Sequence, residues 1–503
     1  MSASWRVAVP TDETGHLPVS GPKSRLGRRV GALSPRRLGV VLVAVAAIVY
    51  VISNPLHDDL YNHFVWQADA WLHGRLPIAY PVSSGPFQNW YFQDVMPDPR
   101  HAGFGILPFP PLPAVVLLPV VALMGMATPA SLVAALLGAI DVGLAWRLCR
   151  RLAADRGVAL VATAFLAFGT VAWYAAAIGT TWFLAHVVAL GLSLLAVTIA
   201  IDADPASLPA DPPAGVAAAG RSTPGNGPEH EPGPGPGDEV GPVEGHRPGP
   251  DPTHELGRER RGRLLGGGRA TFVAALLLGL ASLARLTVVF GLPFLFLVGG
   301  GSWRRRVVLA VAGAAIPLAA LAGYNLATTG QLFNPAYAAI ARTEYRPDPS
   351  LYHADWGVED VRYIPQNLVI ALLRPPQVRP VCGLALLDPN CGTVQPDPVG
   401  MGLLLTSPAF LLVLPALRRL LRDRLVAGAT IAVVLIGLAD AAHFSQGWVQ
   451  FGWRFSNDFV AFALVPITLV MGRMGVNRRV VALVGLSVLV NLWGVYWGVV
   501  LGW

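Results

Sequence analysis

Charge is what this sequence has little of. Only 13% of its 503 residues are Asp, Glu, Lys or Arg, against about 25% in an ordinary soluble chain. That shortage excludes a conventional solvent-facing surface over most of the molecule. Lysine is almost missing: of 37 basic residues only Lys23 is not arginine, a compositional bias without functional weight. Cysteine occurs three times. Cys149 lies at the end of an apolar run, while Cys382 and Cys391 sit in one long loop, where a disulfide is allowed if the loop is extracellular. There is no Walker loop, no dinucleotide fingerprint and no Gly-x-Ser-x-Gly elbow, so soluble nucleotide chemistry has no support. Neither solenoid-type nor inverted repeats are visible.

Apolar runs are what the chain has instead. Hydrophobic residues make up 53% of it, and a span needs about 20 of them to cross roughly 30 Å of hydrocarbon. The candidate spans are 38–53, 128–148, 157–177, 181–201, 270–300, 307–327, 401–417, 425–443, 458–473 and 480–500. The run 270–300 is too long for one ordinary span and carries Arg285 at its middle, so it reads as a hairpin of two short spans turning near that arginine. The run Pro108–Met126 opens with Pro108, Pro110, Pro111 and Pro113 and reads as an external or partly inserted helix. The formal charge of +7 needs no nucleic acid. The arginines cluster at the ends of apolar runs, and with these assignments every cluster falls on the cytoplasmic side. The expected fold class is therefore all-α: a polytopic membrane protein with about eleven transmembrane helices.

The expected organisation follows from the same pattern. Residues 1–37 form an Arg-rich cytoplasmic tail before an uncleaved anchor. Residues 38–202 form an N-terminal membrane part with a first outer loop at 54–127. Residues 203–269, rich in Pro and Gly, form a disordered cytoplasmic linker that cannot bury a core. Residues 270–503 form a C-terminal membrane part with an outer loop at 328–400 and the C-terminus outside.

The first outer loop holds most of the chemistry. It carries His57-Asp58-Asp59, His63, Asp69, His73, Trp90-Tyr91, Asp94, Asp98 and His101. Adjacent carboxylates at a membrane surface are costly to desolvate and repel each other, which suggests a site that uses their charge. A carboxylate beside a cation stays ionised and can take a proton from an attacking hydroxyl, while its neighbour orients the same group. The alternative is that both cap a helix N-terminus. From Asn54-Pro55 to Gly74, Leu60, Phe64, Ala68, Trp71 and Leu72 make one helical face and Asp59, Asn62, His63, Trp66, Asp69 and His73 another, as in a helix lying in the interface. His57, Asp58 and His101 could converge on a divalent metal, but their spacing matches no strong ligand motif, so a metal is not favoured and the cofactor is left unassigned. Asp141, His186, Asp440 and His443 are candidates because ionisable groups within or near spans are costly; Asp141 is expected to pair across helices, and Asp440 and His443 to line the outer cavity.

Several short motifs resemble the C-type glycosyltransferase superfamily of polytopic membrane enzymes, among them the bacterial aminoarabinose transferases and the eukaryotic protein O-mannosyltransferases. They are Asn54-Pro55-Leu56-His57-Asp58-Asp59 after the first span, Ala70-Trp71-Leu72-His73-Gly74-Arg75-Leu76, and Phe109-Pro110-Pro111-Leu112. Later come Tyr324-Asn325 with Gly330, and Gly452-Trp453-Arg454-Phe455 with Asp458. Together they cover most of the membrane region, each being short and degenerate. The resemblance implies a sugar donor on a polyprenyl phosphate and an acidic base in the first outer loop, hence Asp58 or Asp59. It departs from members with a second acid in the next outer loop, because Ile178-Gly179-Thr180-Thr181 offers none. Arg285 and Arg454 are the candidates for the lipid phosphate, which guanidinium binds bidentately; the alternatives are a snorkelling Arg285 and an Arg454 salt-bridged to Asp458. His57, His63, Trp90, Tyr91 and Asp458 are the substrate-binding candidates, with aromatics either stacking on sugar or forming the interfacial belt.

The expected activity is transfer of a sugar, with inversion, to an extracytoplasmic glycan, lipid or protein acceptor at the outer face of a bacterial cytoplasmic membrane. The rival expectations are a transporter or flippase of a lipid-linked or polar substrate, and a non-catalytic envelope assembly factor.

Overall fold

A computed structural model describes residues 34–55, 61–80, 94–204, 267–344, 353, 355–378, 394–417, 422–447 and 450–500. The N-terminal tail up to residue 33, the 203–269 linker apart from its first two and last three residues, and the proposed Cys382–Cys391 pair lie outside them. The described chain is overwhelmingly helical. Its principal helices are α1 (Pro35–Ser53), α2 (His63–Leu72), α3 (Leu112–Met124), α4 (Ala130–Leu152), α5 (Arg156–Phe168), α6 (Ala172–Ile178), α7 (Thr181–Ala203), α8 (Gly267–Ser282), α9 (Trp303–Thr329), α10 (Arg424–Ala441), α11 (Ser456–Met474) and α12 (Arg478–Val495).

Among the described residues, seven helices are long and apolar enough to cross a membrane: α1, α4, α7, α9, α10, α11 and α12. The pair α5–α6, bent by 49°, makes an eighth if counted as one broken span. This is fewer than the eleven expected, for two reasons. The 401–417 run is broken into Leu403–Thr406 and a 3₁₀ stretch at Pro408–Ala416. The two arms of 270–300 are short: α8 has 16 residues, and the return arm joins a 3₁₀ turn, Leu286–Gly291, to a short helix, Pro293–Leu297. They do form a hairpin, because its ends meet: a Cβ on Gly267 would fall 2.9 Å from the Cα of Gly300.

Basic clusters far apart in sequence share one end of the bundle. Asp202 pairs with Arg147 at 3.0 Å and Arg151 at 2.8 Å, and Asp204 reaches Arg424 at 3.6 Å. Arg306 donates to the carbonyls of Phe296 and Gly301 beside them. Helices beginning at this end use sequence-local caps: Asp155 for α5, Asp423 for α10 and Asn477 for α12 each accept from backbone N–H groups of the first turn, satisfying donors a helix leaves open.

The first outer loop folds differently from the interfacial helix read from its periodicity. The helix begins at His63 rather than near Asn54, and Gly74, at φ +71°, follows its last turn. Seven of its ten residues are buried, His63, Trp66 and Gln67 among them, because α3, Trp182 of α7 and Tyr324 of α9 pack against it. Much of its polar face therefore looks inward, with His73 left exposed. A small antiparallel sheet, order β1 (Ile78–Ala79), β3 (Phe104–Ile106), β2 (Met96–Pro97), closes the loop above it. The run after Pro108 is α3, 13 residues long and packed on α2.

Asp98 holds the turn between β2 and β3. Burial pushes its carboxyl up, but the Arg100 amide at 2.9 Å, His101 at 3.0 Å and the Arg100 side chain pull it down further, leaving it below the usual range. A carboxyl depressed in the folded state contributes stability above its unfolded value and loses it as pH falls through the folded one. Acidification therefore opens this turn, seen as faster hydrogen exchange at the Arg100 amide after correction for intrinsic rates. Asp98→Asn should abolish the pH dependence, and its persistence would assign the opening to another group.

Candidate functional site

At the end of the bundle opposite the arginine clusters, two groups of side chains meet. The first is organised by Thr181, at the start of α7. Its hydroxyl donates to the Tyr61 carbonyl at 2.7 Å and contacts His63 Nδ1 at 2.8 Å, while its own amide donates to the same carbonyl at 3.2 Å. On the other side of residues 56–60, the Asn54 amide donates to the Ala177 carbonyl at 2.9 Å. The segment that offers no second acid, 178–181, thus anchors the acidic segment at both its ends. His57, Asp58 and Asp59 lie outside the described residues, as do Trp90 and Tyr91. The residue at the cap position of α2 is Asn62, whose side chain makes no capping hydrogen bond.

His63, expected at the substrate, is a packing residue. It is fully buried and its ring meets Trp66, Phe109, Tyr61 and Trp182 at centroid distances of 4.9, 5.6, 6.4 and 6.0 Å. Nothing local in the sequence reports this, since Phe109 and Trp182 come from other segments. Trp182 is the aromatic the sequence reading missed. It packs on Tyr61 at 4.8 Å and donates its indole N–H to Asp94 at 3.0 Å, and Asp94 takes the unusual φ of +63° to meet it.

The second group centres on Asp458, in the first turn of α11. It is fully buried and accepts from Arg285 Nε at 3.0 Å and Thr287 at 2.8 Å, and contacts His186 Nδ1 at 2.7 Å. Asp440, at the end of α10, lies 3.8 Å from the Arg285 guanidinium. The salt bridge to Asp458 considered for Arg454 is thus made by Arg285, because the hairpin turn delivers Arg285 beside the α11 N-terminus. Asp458, taken as substrate-binding, is instead the enclosed counterion of this network. Asp440, expected to line an outer cavity, is buried beside this network. His443 pairs with Glu359 at 2.6 Å, and its ring centroid lies 6.4 Å from that of Phe455.

Phe455 joins the two groups. The Arg285 guanidinium carbon lies 4.9 Å from its ring centroid and that of Arg454 lies 5.5 Å from it. Arg454 also rests on Trp182 at 5.8 Å and Phe183 at 5.6 Å. Aromatic faces stabilise a cation without neutralising it, and Arg285 commits its Nε to Asp458. In chemical terms this end of the bundle offers two neighbouring guanidinium groups and a Trp–Tyr surface.

No family model matches the sequence, and no curated protein matches it. Among solved structures the chain is similar to the archaeal oligosaccharyltransferase AglB from Archaeoglobus fulgidus in complex with an inhibitory peptide and a dolichol-phosphate, at 13% identity and a TM-score of 0.40, over 93% of this chain and 55% of that one. It is also similar to ArnT from Cupriavidus metallidurans bound to undecaprenyl phosphate, at 16% identity and a TM-score of 0.35, over 89% of this chain and 59% of that one. The chain thus spans little more than half the length of the solved chains it matches.

Proposed function

We propose that this chain is an integral-membrane glycosyltransferase that moves a sugar from a polyprenyl phosphate to an extracytoplasmic acceptor with inversion at the anomeric carbon. The observation that carries it is the convergence of Arg285 and Arg454 on Phe455, beside Trp182 and Tyr61. In such a transfer the acceptor hydroxyl loses its proton to a carboxylate and its oxygen bonds to the anomeric carbon. The carbon–oxygen bond to the phosphate breaks with its electron pair, so a phosphodiester monoanion leaves as a more highly charged phosphate monoester. Cations that face this group bind the product charge more tightly than the ground-state charge, which is the condition for lowering the barrier. Asp58 or Asp59 takes the proton, two and three residues along the chain from Tyr61. The Trp182 and Tyr61 rings offer sugar-stacking faces.

Reconstitution with a panel of polyprenyl-phosphate sugars, scored for free lipid phosphate, tests the proposal. Bond cleavage supports it; movement of an intact substrate across the bilayer would instead establish the transporter reading, which the buried Asp141 and His186 favour. Within the enzyme reading, Arg454→Lys keeps the charge and loses the planar fork. We expect a loss in kcat/KM of roughly ten- to a hundredfold, the scale of a hydrogen bond to a charged group, with the protein still folded. Unchanged kinetics would remove Arg454 from the phosphate site.

The outward orientation is tested independently. In a chain with Cys382→Ser and Cys391→Ser, a cysteine at exposed His73 or Phe333 should react with an impermeant thiol reagent on intact cells. A cysteine at Arg151 should not. The reverse pattern would invert the assignment of faces.

A further inference from the structure

Beneath the Asp458 network, between α1, α4, α7 and α11, lies a small cavity into which Tyr50, Asp141, His186 and Asn457 bring polar groups, in a lining otherwise mostly apolar, with Leu166 and Leu190. Three of these side chains bring polar atoms without a hydrogen-bond partner among the described residues: Asp141 Oδ2, His186 Nε2 and both amide atoms of Asn457. All three residues are more than nine-tenths buried. The cavity offers about 10 Å³ to a water-sized sphere, close to the minimum that holds one water, and a buried water needs two to four polar partners. The chain has made room for the acid: a Cβ on Gly191 would fall 2.4 Å from Asp141 Oδ1. Asp141 has no ion pair among the described residues, against the expectation of one across helices, and a buried carboxyl without a cation is held in its neutral form.

We propose that this cavity binds one water shared by Asp141, His186 and Asn457, and that Asp141, through it, is the proton donor of a buried relay ending at the His186–Asp458–Arg285 network. The tautomer follows from the partners. Asp458 accepts from Arg285 and Thr287, so His186 presents Nδ1–H to it and leaves the Nε2 lone pair facing the cavity. In the relay step the Asp141 O–H bond breaks, the water takes that proton and gives one of its own to Nε2, and an N–H bond forms there. The products are an imidazolium paired with Asp458 and an Asp141 carboxylate held by the water and the Asn457 amide. When Arg285 turns toward an anion outside, the step gives Asp458 a new counter-charge and moves the uncompensated negative charge to Asp141, where the water and the Asn457 amide solvate it.

The test needs no substrate and stands or falls apart from glycosyl transfer. Infrared spectra of the protein in lipid nanodiscs, in H₂O and D₂O, should show an exchange-sensitive carboxylic acid C=O band that Asp141→Asn removes and Asp440→Asn leaves in place. A spectrum with no band lost in Asp141→Asn overturns the proposal. Arg285→Gln should then diminish the same band while ¹⁵N spectra of His186 move from the neutral to the imidazolium pattern. A retained band with neutral His186 overturns the relay. Should Arg285→Gln not fold, Asn457→Leu fills the cavity and displaces the water, so the Asp141 band should shift to the position of an acid without hydrogen bonds; an unmoved band overturns the water site.

Discussion

Asp58→Asn should lower turnover by about a hundredfold or more, the scale of a general acid–base group, with donor affinity nearly unchanged. The chemistry behind the expectation is a division of labour at the outer end. In the proposed transfer Arg454 and Arg285 take the leaving phosphate, and what the reaction still needs is a base beside the acceptor hydroxyl. Asp58 and Asp59 stand in the segment that Asn54 and Tyr61 anchor to residues 177–181. A carboxylate is able to accept a proton in its ionised form. Asp59→Asn should cost less if Asp59 serves mainly to orient, and the reverse order would exchange the two roles. The assay is single-turnover release of lipid phosphate alongside equilibrium donor binding. Full turnover in the double Asn variant would remove the enzyme reading from this site.

Asp458→Ala should destabilise the folded protein by about 3–5 kcal/mol, the usual cost of removing one partner from a buried ion pair. Three donors converge on this carboxylate, from α7, the hairpin turn and the 3₁₀ segment after it. Without it, Arg285 keeps only the longer approach to Asp440 at 3.8 Å, too long for a hydrogen bond. Asp440→Ala should cost markedly less. Unfolding midpoints in detergent, with far-ultraviolet dichroism as the probe, decide the order. Equal effects of the two variants would mean that the cations are held by packing on Phe455 rather than by their counterions.

Some of this was legible before any coordinates. Arg285 at the middle of a run too long for one span marked the hairpin, and Arg454 next to an aromatic and an acid marked the other cation. The opening of α2 was misread because the 3.6-residue pattern from Asn54 to His73 looks amphipathic whether its polar side meets water or a ring of aromatics. The sequence suggests Arg454 as an alternative partner for Asp458 because the two are close in it, whereas the arginine that makes the bridge, Arg285, is 173 residues away.

The sequence by itself determined that the chain is a helical membrane protein, roughly where its apolar helices run, and which ends carry the arginines. Those properties follow from local sums: hydropathy over a span's length, and charge just beyond it, are set by neighbouring residues whatever the rest of the chain does. Only the tertiary structure decided which arginine meets Asp458, that His63 is enclosed, and that Asp141, His186 and Asn457 share one cavity. Each of these depends on contacts between helices far apart in sequence, where side-chain packing, not periodicity, selects the partner, and a one-residue rotation of any helix would choose another.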